Sequence, residues 1–300
     1  MVTAGSILSG TFYFVRANIR AVLVWSGLLT LLSLLSMVGM RPFYQAQLAQ
    51  AQVEAQAVPG IPPFPHPGIF ALAMLIMVVV FVVQFAAVFR AVLFPQESRF
   101  AFLRLGMDEL RLLGAMLLLV VGGLIVGVVC TFVLTLLVGV LGVVTGVAGT
   151  NLLIFALFVA LFCAMIFLWV RLSLVGPMTL VRRQVVIGPA WRASRGHFWR
   201  LFGAYLVIGL LILAVYVIFS FIQMGPIMGD MLRPADPAAH ERVLAWQSAN
   251  YGLSVRSLLL AIVGGILYGF STALQGGMVA VATAQLLDVR GGQKLSEVFE

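Results

Sequence analysis

Charge is what this chain has least of. Asp, Glu, Lys and Arg together make up 9% of its residues, where a soluble domain carries about 25%. Hydrophobic residues make up 62%. That pairing excludes a water-soluble globular protein. It also excludes a disordered chain, which needs low hydrophobicity and high charge. Lysine is nearly missing: of the 18 basic residues, only Lys294 is not arginine. The net charge of +8 is diluted in apolar sequence, so it reads as a membrane signature, and no nucleic-acid partner is expected. The only two cysteines, Cys130 and Cys163, lie in apolar runs and are expected to be small buried hydrophobes. The three histidines stand at 66, 197 and 240, without the spacing of metal ligands. No metal and no cofactor is expected. No Gly-Lys-Ser/Thr loop suggests a nucleotide site, and no acid, base and nucleophile converge in sequence. The reading is therefore of a protein that is not an enzyme.

Apolar runs fill the space that charge leaves. A helix needs about 20 apolar residues to cross the hydrocarbon core. Residues 21–40 and 69–89 qualify. From Leu112 to Val170 there is no charged residue for 59 positions. One straight helix of that length would reach roughly 90 Å. The stretch Gly142–Thr150, with Asn151, is the expected turn, giving spans over 112–141 and 151–170. Residues 201–223 and 257–287 supply two more. These runs are continuous rather than alternating, which excludes a β-barrel. The expected fold is all-α: one polytopic membrane domain over 1–300 with six transmembrane helices. The first apolar run is too long for a signal-peptide core and is read as a retained span. The motif Ala55-Gln56-Ala57 lies well beyond it.

Arginine sets the orientation. With six spans both termini share one side. Arg16, Arg20, Arg90, Arg99, Arg104, Arg111, Arg171, Arg182, Arg183, Arg192, Arg195, Arg200, Arg290 and Lys294 gather there. Arg41, Arg233, Arg242 and Arg256 fall on the other side. Both termini are thus expected in the cytoplasm. The outer loops are 41–68, the short 142–150 turn and 224–256, the last with a surface helix over 237–249. His66 and His240 read as solvated loop residues.

A repeat is visible. At an offset of 179, Phe12 matches Trp191, Arg16 matches Arg195 and Ile19 matches Phe198. On a helical wheel Phe12, Val15 and Ile19 share one arc and Arg16 and Arg20 another. Over 191–202, Trp191, Ser194, Phe198, Leu201 and Phe202 oppose Arg192, Arg195, Trp199 and Arg200. Both segments read as cytoplasmic interfacial amphipathic helices, each leading into a span. The segment 99–111 lies midway, with Arg104, Asp108 and Arg111 on one face as ion-pairing partners. The expectation is a three-fold repeat of helix plus hairpin, over 1–94, 95–176 and 177–290.

The elements RLGMDELRLL (104–113) and RLSLVGPMTLVRRQVVIGPAWRASRGHFWRLFGAYLV (171–207) resemble a family of six-span bacterial inner-membrane proteins. It is called YciC-like, or the glycerophosphoryl diester phosphodiesterase membrane domain. The likeness is loose along the chain and close in those two segments. It implies a multi-pass protein of the bacterial inner membrane. The family label comes from membrane regions joined to a separate soluble phosphodiesterase domain, which this sequence does not contain, so it implies no catalysis here.

Two functional readings follow. In the first, a basic cytoplasmic face organises anionic lipids or a membrane complex, with a membrane-protein partner or a second copy as further candidates. Arg171, Arg182, Arg183, Trp191, Arg192, Arg195, Trp199 and Arg200 would hold lipid headgroups, because arginine grips phosphate in a planar fork. Arg195 and Trp199, four residues apart, would make a cation–π contact. In the second reading the protein is a transporter or channel for a small or lipid-like solute. Gln84, Thr131, Thr135, Ser271, Thr272 and Gln275 would line its polar cavity, and Gly276-Gly277 would interrupt the sixth helix; hydrogen bonding between helices is the other, favoured reading of these polar side chains. The glycines at 122, 123 and 127, at 142 and 146, and at 265 and 269 are read as sites of close helix packing.

Overall fold

The structure is a computed structural model that describes residues 3–39, 67–97, 99–233, 236–250 and 254–287. Most of the first outer loop with Ala55 and His66, the side chain of His240, and the tail with Arg290 and Lys294 lie outside the described residues. Helices, with no strand among those residues, build the fold: α1 (Ala4–Ala17), α2 (Ile19–Gly39), α3 (Pro67–Leu93), α4 (Met107–Leu172), α5 (Val175–Arg182), α6 (Ile187–Ala193), α7 (Phe198–Met231), α8 (Pro237–Asn250) and α9 (Val255–Leu286). Six segments are long and apolar enough to cross a membrane. The protein is a multi-pass integral membrane protein.

Local chemistry sets the helix starts. Thr3 and Ser6 form a reciprocal capping box that opens α1, and Ser254 and Ser257 do the same for α9, each satisfying free backbone donors. Asn18 separates α1 from α2 with φ −110° and ψ 27°. His197 precedes α7 with φ −113° and ψ 7°. These two breaks are 179 residues apart, the offset of the sequence repeat. The helices that open the three hairpins begin at Ile19, Met107 and Phe198.

The long helix α4 has 66 residues, and Gly142–Thr150 remain helical rather than forming the expected open turn. Yet a Cβ placed on Gly176 would lie 3.5 Å from Leu112. Gly176 is only four residues past the end of α4. A straight helix would carry Leu172 roughly 90 Å from Leu112. The chain must therefore reverse inside α4, and arms of equal length put the reversal at about residue 144. The two-span hairpin stands.

Helix α9 is the centre of the bundle. It is continuous, and Gly276 and Gly277 do not interrupt it. Instead they receive neighbours: a Cβ on Gly276 would stand 2.9 Å from Val88, and one on Gly277 2.7 Å from Phe14. Farther up α9, a Cβ on Gly265 would lie 2.6 Å from the Thr30 backbone, and one on Gly269 2.5 Å from the Ser26 backbone. Two small residues on each helix, spaced by four, bring α2 and α9 nearly into backbone contact. Gly122, Gly123 and Gly127 do not do this; nothing lies within 4 Å of a Cβ placed there. They are half-buried, with open space where a Cβ would stand.

Helix α1 is not a lone interfacial helix. Ser6 bonds Gln285, Gly10 meets Val281 and Phe14 meets Gly277, so α1 runs antiparallel along the end of α9. Its buried face is Ile7, Thr11 and Phe14. Phe12 and Ile19, assigned to the apolar arc, are 45% and 40% exposed. Ile19 lies beyond the break at Asn18, which shifts the helical phase; Phe12 lies before it, on the exposed side of α1.

The core sits at one end. Ile7, Ala115, Val170, Leu174, Val175, Met178, Ala190, Leu201, Ala204, Ile208 and Met278 form its largest cluster. In α4 the buried residues are Glu109, Leu112 and Ala115 at the start and Val170 at the finish, among the described residues. Between them, residues 116–139 and 154–169 present mostly exposed apolar side chains to lipid. Cys130 is half-buried and Cys163 exposed on this surface, both unpaired. They are lipid-facing rather than core residues.

Candidate functional site

The starts of α1, α4 and α7, the ends of α3 and α9, and all of α5 and α6 meet at this packed end. Most of the chain's arginines are there. Arg16 and Arg20 are exposed at the α1–α2 junction, and Arg104 is exposed before α4. Arg183, Arg192, Arg195 and Arg200 are exposed along α5–α7, while Arg171 and Arg182 are half-buried. Arg183, Arg192, Arg195 and Arg200 make no ion pair among the described residues. At the other end Arg242 makes a two-point pair with Asp230, at 2.6 and 3.0 Å, and Arg256 bonds the Gln223 carbonyl.

The expected helix over 191–202 is broken. Helix α6 ends at Ala193, and Gly196 takes φ +79°, a left-handed conformation that glycine adopts without strain. The division of faces survives the break. Ser194 and Leu201 are buried, Trp191, Phe198 and Phe202 half-buried, and Arg192, Arg195, Trp199 and Arg200 exposed. The contact expected between Arg195 and Trp199 is absent from the observed cation–π pairs. The two residues lie on either side of the turn, so helical i, i+4 spacing does not apply to them.

Arg171 makes the cation–π contacts instead. Its guanidinium carbon lies 5.2 Å from the centroid of Phe167 and 5.0 Å from that of Trp191. The two rings stand edge to face, 6.0 Å apart, so Arg171 occupies the corner between them. Its Nη1 donates to the Trp191 carbonyl and to Ser194 Oγ, both at 3.4 Å. Ser194 is fully buried and its hydroxyl also donates to the Trp191 carbonyl at 3.0 Å. Arg171 therefore ties the end of α4 to α6.

An ion-pair group holds α3 against α4. Arg90 and Glu109, both buried, pair directly. Asp108 stands 3.8 Å from Arg90 and 3.0 Å from Arg111. The Asp108–Arg111 pair matches the expectation from sequence. Arg104 does not join them; it pairs with Glu97 at 2.8 Å. Arg104 precedes Gly106, whose extended backbone caps α4, so it is not on the helix that carries Asp108. Sequence reading missed Arg90 and Glu109, because nothing local shows that residues 19 apart in sequence will meet. Beside them Phe100, Ala101 and Phe102 take φ of 50°, 53° and 63°, each costing about 1–2 kcal/mol outside glycine. Trp25 Nε1 donates to the Ala101 carbonyl at 2.9 Å, and Arg90 Nη1 to that of Phe102 at 3.4 Å. These bonds and the burial of Phe102 offset the strain.

Compared with protein-family models, with curated proteins and with solved structures, the chain matches none.

The polar-cavity set is dispersed. Gln84 and Thr272 meet, both buried, with Gln84 Nε2 donating to Thr272 Oγ1 at 2.6 Å. Ser271 is buried and donates to its own helix at the Leu267 carbonyl. Thr131 and Thr135 are exposed on α4, and Thr135 bonds the Thr131 carbonyl. Gln275 is exposed. A threonine back-bonded to its own helix meets lipid without an unsatisfied hydroxyl, as Thr135 does.

Proposed function

We propose that this is a non-enzymatic multi-pass protein of the bacterial inner membrane that organises anionic lipids, or a membrane complex, through its arginine-rich end. That end and both termini face the cytoplasm in this reading, as the positive-inside bias requires. One observation carries it: Arg183, Arg192, Arg195 and Arg200 are exposed on one short run of chain with no acidic partner among the described residues. Arginines that only balanced charge would pair as Arg242 and Asp230 do at the opposite end. Trp199, 76% exposed among them, suits the depth where tryptophan meets headgroups. Each such cation near an anionic leaflet contributes about 1 kcal/mol. We place the chain in the YciC-like family on the same ground, since residues 171–207 carry both the likeness and the arginines.

The test is native mass spectrometry of the detergent-purified protein with identification of bound lipid. Anionic lipid should remain on the wild-type chain and fall when Arg192, Arg195 and Arg200 are all changed to Gln. Equal retention by both proteins would remove the lipid role from these residues.

A further inference from the structure

We propose that Arg171 is a phosphate-binding residue that holds one phosphodiester at the edge of the membrane, with Phe167, Trp191 and Ser194 as its positioning residues. The inference rests on the lipid reading above and narrows it to a single built site.

A guanidinium has five N–H donors in a fixed plane. At Arg171 only Nη1 is engaged, and both of its bonds are 3.4 Å long, well beyond the 2.7–2.9 Å typical of charged donors. Nε is enclosed without a partner. Nη2 donates to nothing among the described residues and, unlike Nε, is not enclosed. No carboxylate among the described residues pairs with the group. A half-buried cation with an open Nη2 is suited to an anion, which would offset the cost of its burial.

The surroundings suit a phosphate more than a mobile counterion. The faces of Phe167 and Trp191 fix the plane of the group, so less freedom is lost on binding than for a free side chain. Phe167 is held in turn, 5.2 Å from Phe198 at the start of α7. The end of α4 and α6 thus meet at one guanidinium, and α7 braces Phe167. Arg171 is the last basic residue of an apolar arm whose outer surface, Phe158, Phe162 and Trp169, is 57–72% exposed. A phosphodiester bound here would leave its acyl chains lying along that arm. Inorganic phosphate offers the same oxygens without the chains.

The experiment compares four proteins by native mass spectrometry: wild type, R171K, S194A and the R192Q/R195Q/R200Q variant. Each is incubated with phosphatidylglycerol and, separately, with inorganic phosphate. Wild type should keep one phospholipid under activation that strips the rest. R171K keeps the charge but loses the planar fork, and should retain that lipid at least about tenfold less. S194A keeps every charge and removes one Nη1 contact together with the Ser194–Trp191 hydrogen bond; it should weaken retention severalfold. The triple variant should lose loosely held lipid and keep the single one. A wild-type adduct with inorganic phosphate alone would assign the site to free phosphate rather than lipid and overturn the phosphodiester proposal. R171K and S194A both retaining lipid like wild type would overturn it too, as would loss of the single lipid only in the triple variant. Should R171K fail to fold, S194A decides. Failure of the broader reading shows instead as no anionic lipid on any of the four.

Discussion

Arg90 on α3 and Glu109 on α4 form an ion pair in which both side chains are buried, 5% and 6% exposed. Breaking such a pair strands a charge, which costs about 3–5 kcal/mol. Glu109→Gln or Arg90→Gln alone should therefore lower the thermal midpoint in detergent strongly. Arg90→Met combined with Glu109→Leu should lose less than either single change. Additive losses would show that the pair does not act as a unit.

The approach of α2 to α9 gives a sharper contrast. Gly269→Ala puts a methyl 2.5 Å from the Ser26 backbone, and overpacking of this kind costs about 1–3 kcal/mol. Gly127→Ala meets open space and should be neutral or raise stability by up to about 1 kcal/mol, since alanine is the better helix former. Thermal melts of the two variants check this. Equal effects would contradict the packing.

The fold-back of α4 is measurable with the native cysteines. A straight helix would separate spin labels on Cys130 and Cys163 by about 50 Å. The hairpin places them below about 30 Å, allowing for adjacent helices and label length. Electron–electron double resonance distinguishes the two distances.

A double-mutant cycle on Gln84→Leu and Thr272→Val tests the buried hydrogen bond. Its coupling should be about 0.6 kcal/mol and not above about 1.7, the range of such bonds between membrane helices. If the two residues instead lined a water-filled path, solvent would satisfy both and the coupling would vanish.

Much of this was legible in the sequence. The span boundaries follow from apolar length, because a bilayer imposes that length on any helix that crosses it. The hairpin over 112–170 was legible for the same reason. The pairing of Gly265 and Gly269 was visible as small residues spaced by four. The face assignments of 12–20 and 99–111 failed, since a wheel assumes unbroken helical phase and Asn18 and Gly106 interrupt it. Arg90–Glu109 and Arg171–Trp191 were not visible as pairs, because each depends on how α3, α4 and α6 meet at the packed end. Of the polar set, Gln84 and Thr272 bond between helices, as the hydrogen-bonding reading of those residues expects, while Thr131, Thr135 and Gln275 are exposed, since depth along a span does not say which way a side chain faces.

If the arginine-rich end collects anionic lipid, extraction of wild type and the R192Q/R195Q/R200Q variant from the same membrane into polymer-bounded nanodiscs, without detergent, with lipids quantified in each, will show it. Wild-type discs should be enriched in anionic phospholipid over the parent membrane, and the variant's discs should return to the parent composition. Parent composition in both would contradict it.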